Sequence, residues 1–222
     1  MLREANADDD VHVLVITSSG DFFSSGADLS DASSASADPS TPSYLAPVGQ
    51  FMWELIHFRK PVIAAVNGPA VGIGTTLVLH ADIVFCARST YFWTPFARIA
   101  VVPEFVSSLL LPSILGPSLG NEMLLASRKL TSAEALQRGL VSDVLASADE
   151  VRAHAIKVAK DMLAPPLASK SLPIFKSLIR SPDKLRQMGG VFHDEMDQLH
   201  KRFMNGDTAE AAIMLLSQRA KL

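Results

Sequence analysis

Residues 61–79, PVIAAVNGPAVGIGTTLVL, carry no charge. A run of about this length would suffice to cross a hydrocarbon layer. Asn67, Gly68 and Pro69 break its middle, however, and Gly72 and Gly74 follow. Turn residues at those positions divide the run into a buried strand, a turn and a short apolar helix over about residues 72–80. The chain must therefore build a core deep enough to bury all three pieces, and no membrane span is expected.

The 222 residues are 48% hydrophobic and 19% charged, the balance of a well-cored globular protein. A net charge of −3 gives no electrostatic reason to bind nucleic acid or an anionic membrane. One cysteine, Cys86, precludes an intramolecular disulfide and suits a reducing compartment. The first residues, MLREANADDDVHVLV, have neither the apolar core of a signal peptide nor the Arg/Ser richness of a transit peptide. The last three, Ala220-Lys221-Leu222, are a conservative variant of the Ser-Lys-Leu peroxisomal address. They imply a peroxisome or related organelle and a possible import receptor as partner, with the mitochondrion as the alternative.

Along the chain, residues 11–17 read as a buried strand ended by Ser-Ser-Gly. Residues 30–43 are nearly low-complexity Ser/Ala/Asp/Pro, which cannot repay its ordering entropy by burial. Apolar residues at Phe51, Met52, Leu55, Ile56 and Phe58 predict a helix, and ADIVFCA predicts a third strand. In LTSAEALQRGLV, Thr131 can cap, Glu134 stands three residues on as in a capping box, and Gly139 can close the helix. Further helical patterns cover 149–163, 166–180, 182–204 and 207–219. Strands alternating with helices, then helices alone, imply an α/β core over residues 1–150 and a helical region over 151–222.

Two turns could carry chemistry. FSSGADL and NGPAVGIGTT each follow a strand, and their glycines let backbone N–H groups approach a ligand. Unpaired amides at a helix start carry partial positive charge, so two adjacent turns could form an oxyanion hole. They could equally be plain strand-to-helix turns. A dinucleotide fingerprint fails because Leu77 occupies the place of its third glycine, and no phosphate loop or serine-hydrolase elbow is present. His57 and His80 are lone histidines in apolar settings, and His193 and His200 suit a solvated helix face; no metal site is expected. Glu104 is the one charge between Ile99 and Asn121. It suits a first helical turn after Pro103, or it is a general base whose basicity rises where Val101, Val102, Phe105 and Val106 exclude water.

Four ordered blocks (LVITSSGDFFSSGADLS, KPVIAAVNGPAVGIGTTLVLHADIVFCA, PEFVSSLLLPSILGPSLGNEMLLASRKLTSAEALQRGLVSDVL and RFMNGDTAEA) together resemble the crotonase superfamily of enoyl-CoA hydratases and isomerases. The resemblance implies an α/β, ClpP/crotonase-like spiral of ββα units with a helical C-terminal trimerisation region. It implies a homo-oligomer, trimer or dimer of trimers, and an acyl-CoA thioester whose carbonyl oxygen lies between the amides of Ala27 and Ile73. Ser25, Asp28 and Leu29 would lie near the adenine and pantetheine of CoA, and Phe203 would flank the nucleotide end. CoA would be part of the substrate, with no separate cofactor. Family members usually begin with a hairpin and a helix before the strand found here at Val11, so this chain starts about 30 residues late by that comparison, which would expose an edge of the core sheet.

The hydratases of the superfamily use two glutamates, at places that here hold Thr76 and Phe96, so hydration is not expected. Glu104 in VVPEFVSS instead is similar to the base of the peroxisomal type of Δ3,Δ2-enoyl-CoA isomerase. The implied reaction is a C2-to-C4 proton shift by Glu104. Dienoyl-CoA isomerisation, thioester hydrolysis and a non-catalytic acyl-CoA-binding role remain as alternatives.

Overall fold

The computed structural model describes residues 1–27 and 43–219. Its strands fall into two sheets. A parallel four-stranded sheet takes β1 (Leu14–Ile16), β2 (Val62–Val66), β4 (Ile83–Ala87) and β7 (Asp143–Leu145) in spatial order. A second sheet takes β3 (Ala70–Val71), β5 (Tyr91–Trp93) and β6 (Lys129–Thr131), with Ser24 bridging to Ala70 at its edge. From β2 to β5 the chain visits the two sheets alternately; β6 then adds to the second sheet and β7 to the first. Paired strands followed by helices are the ββα arrangement that the resemblance implies.

β2 is buried at every residue, as an all-apolar strand between two neighbours must be. β1 is shorter than the apolar run 11–17. Its partner strand begins after Pro61, whose missing N–H ends the ladder at the Leu14–Val62 pair. The helix expected over residues 46–58 is α2 (Pro47–Ile56), with Pro47 in the first turn. Four elements left no readable pattern: α1 (Leu2–Ala7) and the very short β3, β5 and β6.

After β3 comes α3 (Ile73–Val78), and after β5 a 3₁₀ turn, Phe96–Ile99. α4 (Ser107–Leu115) and α5 (Pro117–Leu125) follow, separated by Gly116. Next is α6 (Ser132–Gln137), which carries the expected capping box: Thr131 Oγ1 accepts from Glu134 N–H while Glu134 accepts from Thr131 N–H. α7 (Ala148–Leu163) lays Val151 and Ala155 on the parallel sheet, packing with Ile63, Ala65 and Phe85. α8 (Ala168–Ile179), α9 (Pro182–Met204) and α10 (Asp207–Arg219) complete the chain. No helix among the described residues is long and apolar enough to cross a membrane.

The site is framed by two apolar clusters. One fills the spiral with Val66, Phe92, Leu111, Met123 and Leu130. The other joins α2, α9 and the segment around Glu104 through Met52, Leu55, Phe105, Val106, Phe192 and Met196. A buried ion pair closes the back. Asp82 accepts from Lys176 Nζ at 2.7 Å and from Val62 N–H at 2.7 Å, tying α8 to the end of β2.

Candidate active site

The two glycine turns abut. Val71 N–H donates to Ser24 C=O at 2.9 Å, and a Cβ built on Gly72 would lie 3.7 Å from Gly26 Cα. Gly72 has φ +55°, ψ −122°, a backbone region that L side chains avoid. Gly74 is required for a different reason: a Cβ there would meet Ser24 Cβ at 2.6 Å. Small residues thus let the first spiral turn press against the start of α3. Thr75 clamps the arrangement by donating to Ala70 C=O at 2.7 Å and accepting from Trp93 N–H at 2.9 Å.

This contact brings the amides of Ala27 and Ile73 onto neighbouring turns. Ile73 is the first residue of α3, so its N–H has no carbonyl one turn back to bond. Ala27 N–H makes no backbone hydrogen bond among the described residues. Ser25 and Ala27 are exposed. Asp28 and Leu29 lie outside the described residues, as does Ala220-Lys221-Leu222. Phe203 is on the last turn of α9, 39% exposed, on an element apart from the two glycine turns.

Glu104 lies before α4 rather than in its first turn, since that helix begins at Ser107. Its flanking residues Val101, Val102, Phe105 and Val106 pack in the same apolar cluster as Ile73 and Leu77 of α3. The acid and the Ile73 turn therefore border one apolar volume. Among the described residues the Glu104 carboxylate has no hydrogen-bond or ion-pair partner. Burial, reinforced by the nearby charge of Glu195, pushes its pKa up to about 7. A carboxyl raised in this way suits a base that must both take and return a proton.

The other two positions considered hold no acid. Thr76 is fully buried and turns its hydroxyl to Ile73 C=O at 3.3 Å; Phe96 is a core residue. No cluster of three or more metal-ligating side chains occurs among the described residues. A cleft of about 370 Å³ lined by Arg3, Tyr44, Leu45, Gln50, Trp53, Phe192 and His193 takes in none of Ala27, Ile73 and Glu104.

Two further residues hold the site: Glu195 escaped the sequence reading, and His80 was legible only as a lone histidine in an apolar setting. His80 is fully buried and donates from Nε2 to Phe105 C=O at 2.8 Å. Glu195 on α9 is 7% exposed and accepts from Val106 N–H at 2.5 Å and Ser108 N–H at 2.9 Å. A signal for Glu195 existed: Met188, Phe192, Met196 and Leu199 form the buried stripe of α9, and position 195 falls on it by helical spacing.

Two abutting amide turns beside an apolar wall that carries an acid of raised pKa can hold an oxyanion and move a proton. Residues 1–220 match the family model described as enoyl-CoA hydratase/isomerase, and the chain belongs to that family, within the crotonase superfamily. It is 33% identical over 224 residues to enoyl-CoA delta isomerase 2 of Homo sapiens, covering 100% of this chain and 56% of that protein. It is 34% identical over 227 residues to enoyl-CoA delta isomerase 3, peroxisomal, of Mus musculus, covering 99% of this chain and 68% of that protein. Among solved structures, OdaA of Pseudomonas aeruginosa superposes with a TM-score of 0.87 at 37% identity, covering 96% of this chain and 84% of that one. The chain thus spans about half the length of the human relative, 56%.

Proposed function

We propose that the protein is a Δ3,Δ2-enoyl-CoA isomerase of fatty-acid β-oxidation, with Glu104 as its one acid–base group. The observation that carries this reading is an acid free of fixed partners among the described residues, on a segment whose flanking residues Val101, Val102, Phe105 and Val106 share the apolar cluster of Ile73. The Glu104 carboxylate takes a proton from C2 of a 3-enoyl-CoA. The C2–H electrons move toward the thioester, giving a dienolate whose oxygen accepts from Ala27 N–H and Ile73 N–H. Glu104 then returns the proton to C4: the C3=C4 π electrons form that C–H bond, the C1=C2 pair of the dienolate moves to C2=C3, and an oxygen lone pair restores the thioester C=O. No net proton and no water are consumed, so one carboxyl suffices. Each oxyanion donor contributes about 3–4 kcal/mol to such a transition state, and an apolar wall keeps water from the intermediate.

The same reading puts Ser25, Asp28, Leu29 and Phe203 along the CoA moiety and makes the thioester, not a separate cofactor, the ligand. It includes assembly into a trimer or dimer of trimers. Ile174, Phe175, Leu178 and Ile179 of α8 are each more than half exposed, an apolar stripe suited to a second copy. Peroxisomal location is part of the proposal, in line with the printed name of the mouse relative and the Ala-Lys-Leu tripeptide.

The test is the conversion of trans-3-hexenoyl-CoA to the 2-enoyl ester, followed by ultraviolet absorbance for wild type and Glu104→Gln across pH 5–9. Because the base must be ionised, kcat/KM should climb with pH through a midpoint near 7. The variant should lose about 10²–10⁴-fold in kcat with little change in CoA-ester affinity. Turnover by Glu104→Gln at the wild-type rate would reject the assignment.

A further inference from the structure

The backbone immediately after Glu104 is strained. Phe105 and Val106 are consecutive non-glycine residues at φ +59° and +62°, and Val106 is β-branched, a residue type that rarely adopts this conformation. Such a corner costs on the order of 1–3 kcal/mol per residue and persists only where its surroundings hold it. Two buried side chains do so. His80 Nε2–H holds Phe105 C=O from one side, and both oxygens of Glu195 take the Val106 and Ser108 N–H groups from the other. The two anchors come from different elements, the segment after α3 and the middle of α9.

We propose that Glu195 is a positioning residue for Glu104: it locks the left-handed corner that follows the base and so fixes where the base sits. This rests on the reading of Glu104 as the base. Glu195 touches no reacting atom, since both its oxygens are engaged by backbone amides. Its charge also bears on Glu104, and repulsion between the two carboxylates adds to burial in favouring the protonated acid. The other ionisable groups near the corner differ in kind. His80 is held neutral by burial, Lys176 of α8 and Arg180 just after it are drawn to Asp82, and His193 of α9 packs against Tyr44 and Trp53.

The experiment compares the wild-type chain with Glu195→Gln, Glu195→Asp and Glu104→Gln. Turnover of trans-3-hexenoyl-CoA is measured against pH, and the Glu104 carboxyl is titrated by carbon-13 NMR. In Glu195→Gln, kcat should drop about 10–100-fold through misplacement of the base, with KM within about threefold. The Glu104 midpoint should move down by ~0.5 pH unit or more as the neighbouring charge goes. Glu195→Asp keeps the charge on a shorter arm, so its midpoint should stay near wild type while kcat remains depressed. A Glu195→Gln protein with wild-type kcat and an unmoved titration overturns the proposal. So does a loss confined to melting temperature, or failure of both Glu195 variants to fold, because either makes Glu195 merely structural. An active Glu104→Gln or an inactive wild type overturns the isomerase reading instead, and the NMR titration then judges Glu195 alone.

Discussion

His80 lies flat against Phe105, with ring centroids 4.1 Å apart at 22°, while its Nε2–H bonds the carbonyl of that same phenylalanine. Burial lowers its pKa to about 3. Above pH 6.5 both folded and unfolded chains carry it neutral. Between 6.5 and 3 only the unfolded chain takes the proton, so stability falls as pH falls, by an amount of order 4 kcal/mol. His80→Gln should be less stable at pH 7 yet lose less between pH 6.5 and 4, as read from urea midpoints. Parallel pH curves for the two proteins would show that His80 is not held neutral.

Glu104 acts in the opposite direction. Its pKa is raised from 4.5 to about 7, so between those values only the folded chain holds the proton. Stability on this account is intact below pH 4.5 and declines by up to ~3 kcal/mol as pH rises through 7. Glu104→Gln removes the buried charge and should melt about 3–8 °C higher than wild type at pH 8, with the difference vanishing near pH 4.5. A less stable variant at pH 8 would mean that the ionised acid is not penalised.

Ile73→Pro deletes one amide hydrogen at a position where a helix start tolerates proline. If Ile73 N–H serves the dienolate oxygen, kcat should fall about 10²–10³-fold while the circular dichroism spectrum is retained. An unchanged kcat would remove Ile73 from the oxyanion hole.

The stripe on α8 is open to a direct check. Phe175→Asp with Leu178→Glu puts charge into a face whose residues are 57% and 72% exposed. Sedimentation should show wild type as a trimer or larger and the double variant as a lighter species with its fold intact. An unaltered sedimentation coefficient would locate the copy–copy contact elsewhere.

Local chemistry was legible wherever neighbours in sequence settle it. The Thr131–Glu134 capping box, the buried run 62–66 and the helices over 182–204 and 207–219 are written in residues that touch one another along the chain. Glu104 could be found because it is one charge in an apolar stretch. The short strands β3, β5 and β6 could not, since no period develops over so few positions, and they exist only through pairing with distant partners. Glu195 stands 89 residues from the Val106 amide it holds. Its place on an apolar helix stripe hints at burial, but what it grips is decided by tertiary packing. Asp28, Leu29 and the final tripeptide fall outside the described residues.

The unequal treatment of the two acids has a kinetic consequence. Glu195 is pinned at both oxygens and cannot turn, whereas Glu104 hangs from a fixed corner with no donor gripping its head among the described residues. A carboxyl hung that way can pivot a short arc about its own side-chain bonds. An allylic shift asks for this motion, a rigid shoulder and a loose wrist, so that one proton is lifted from one carbon and set down two atoms along.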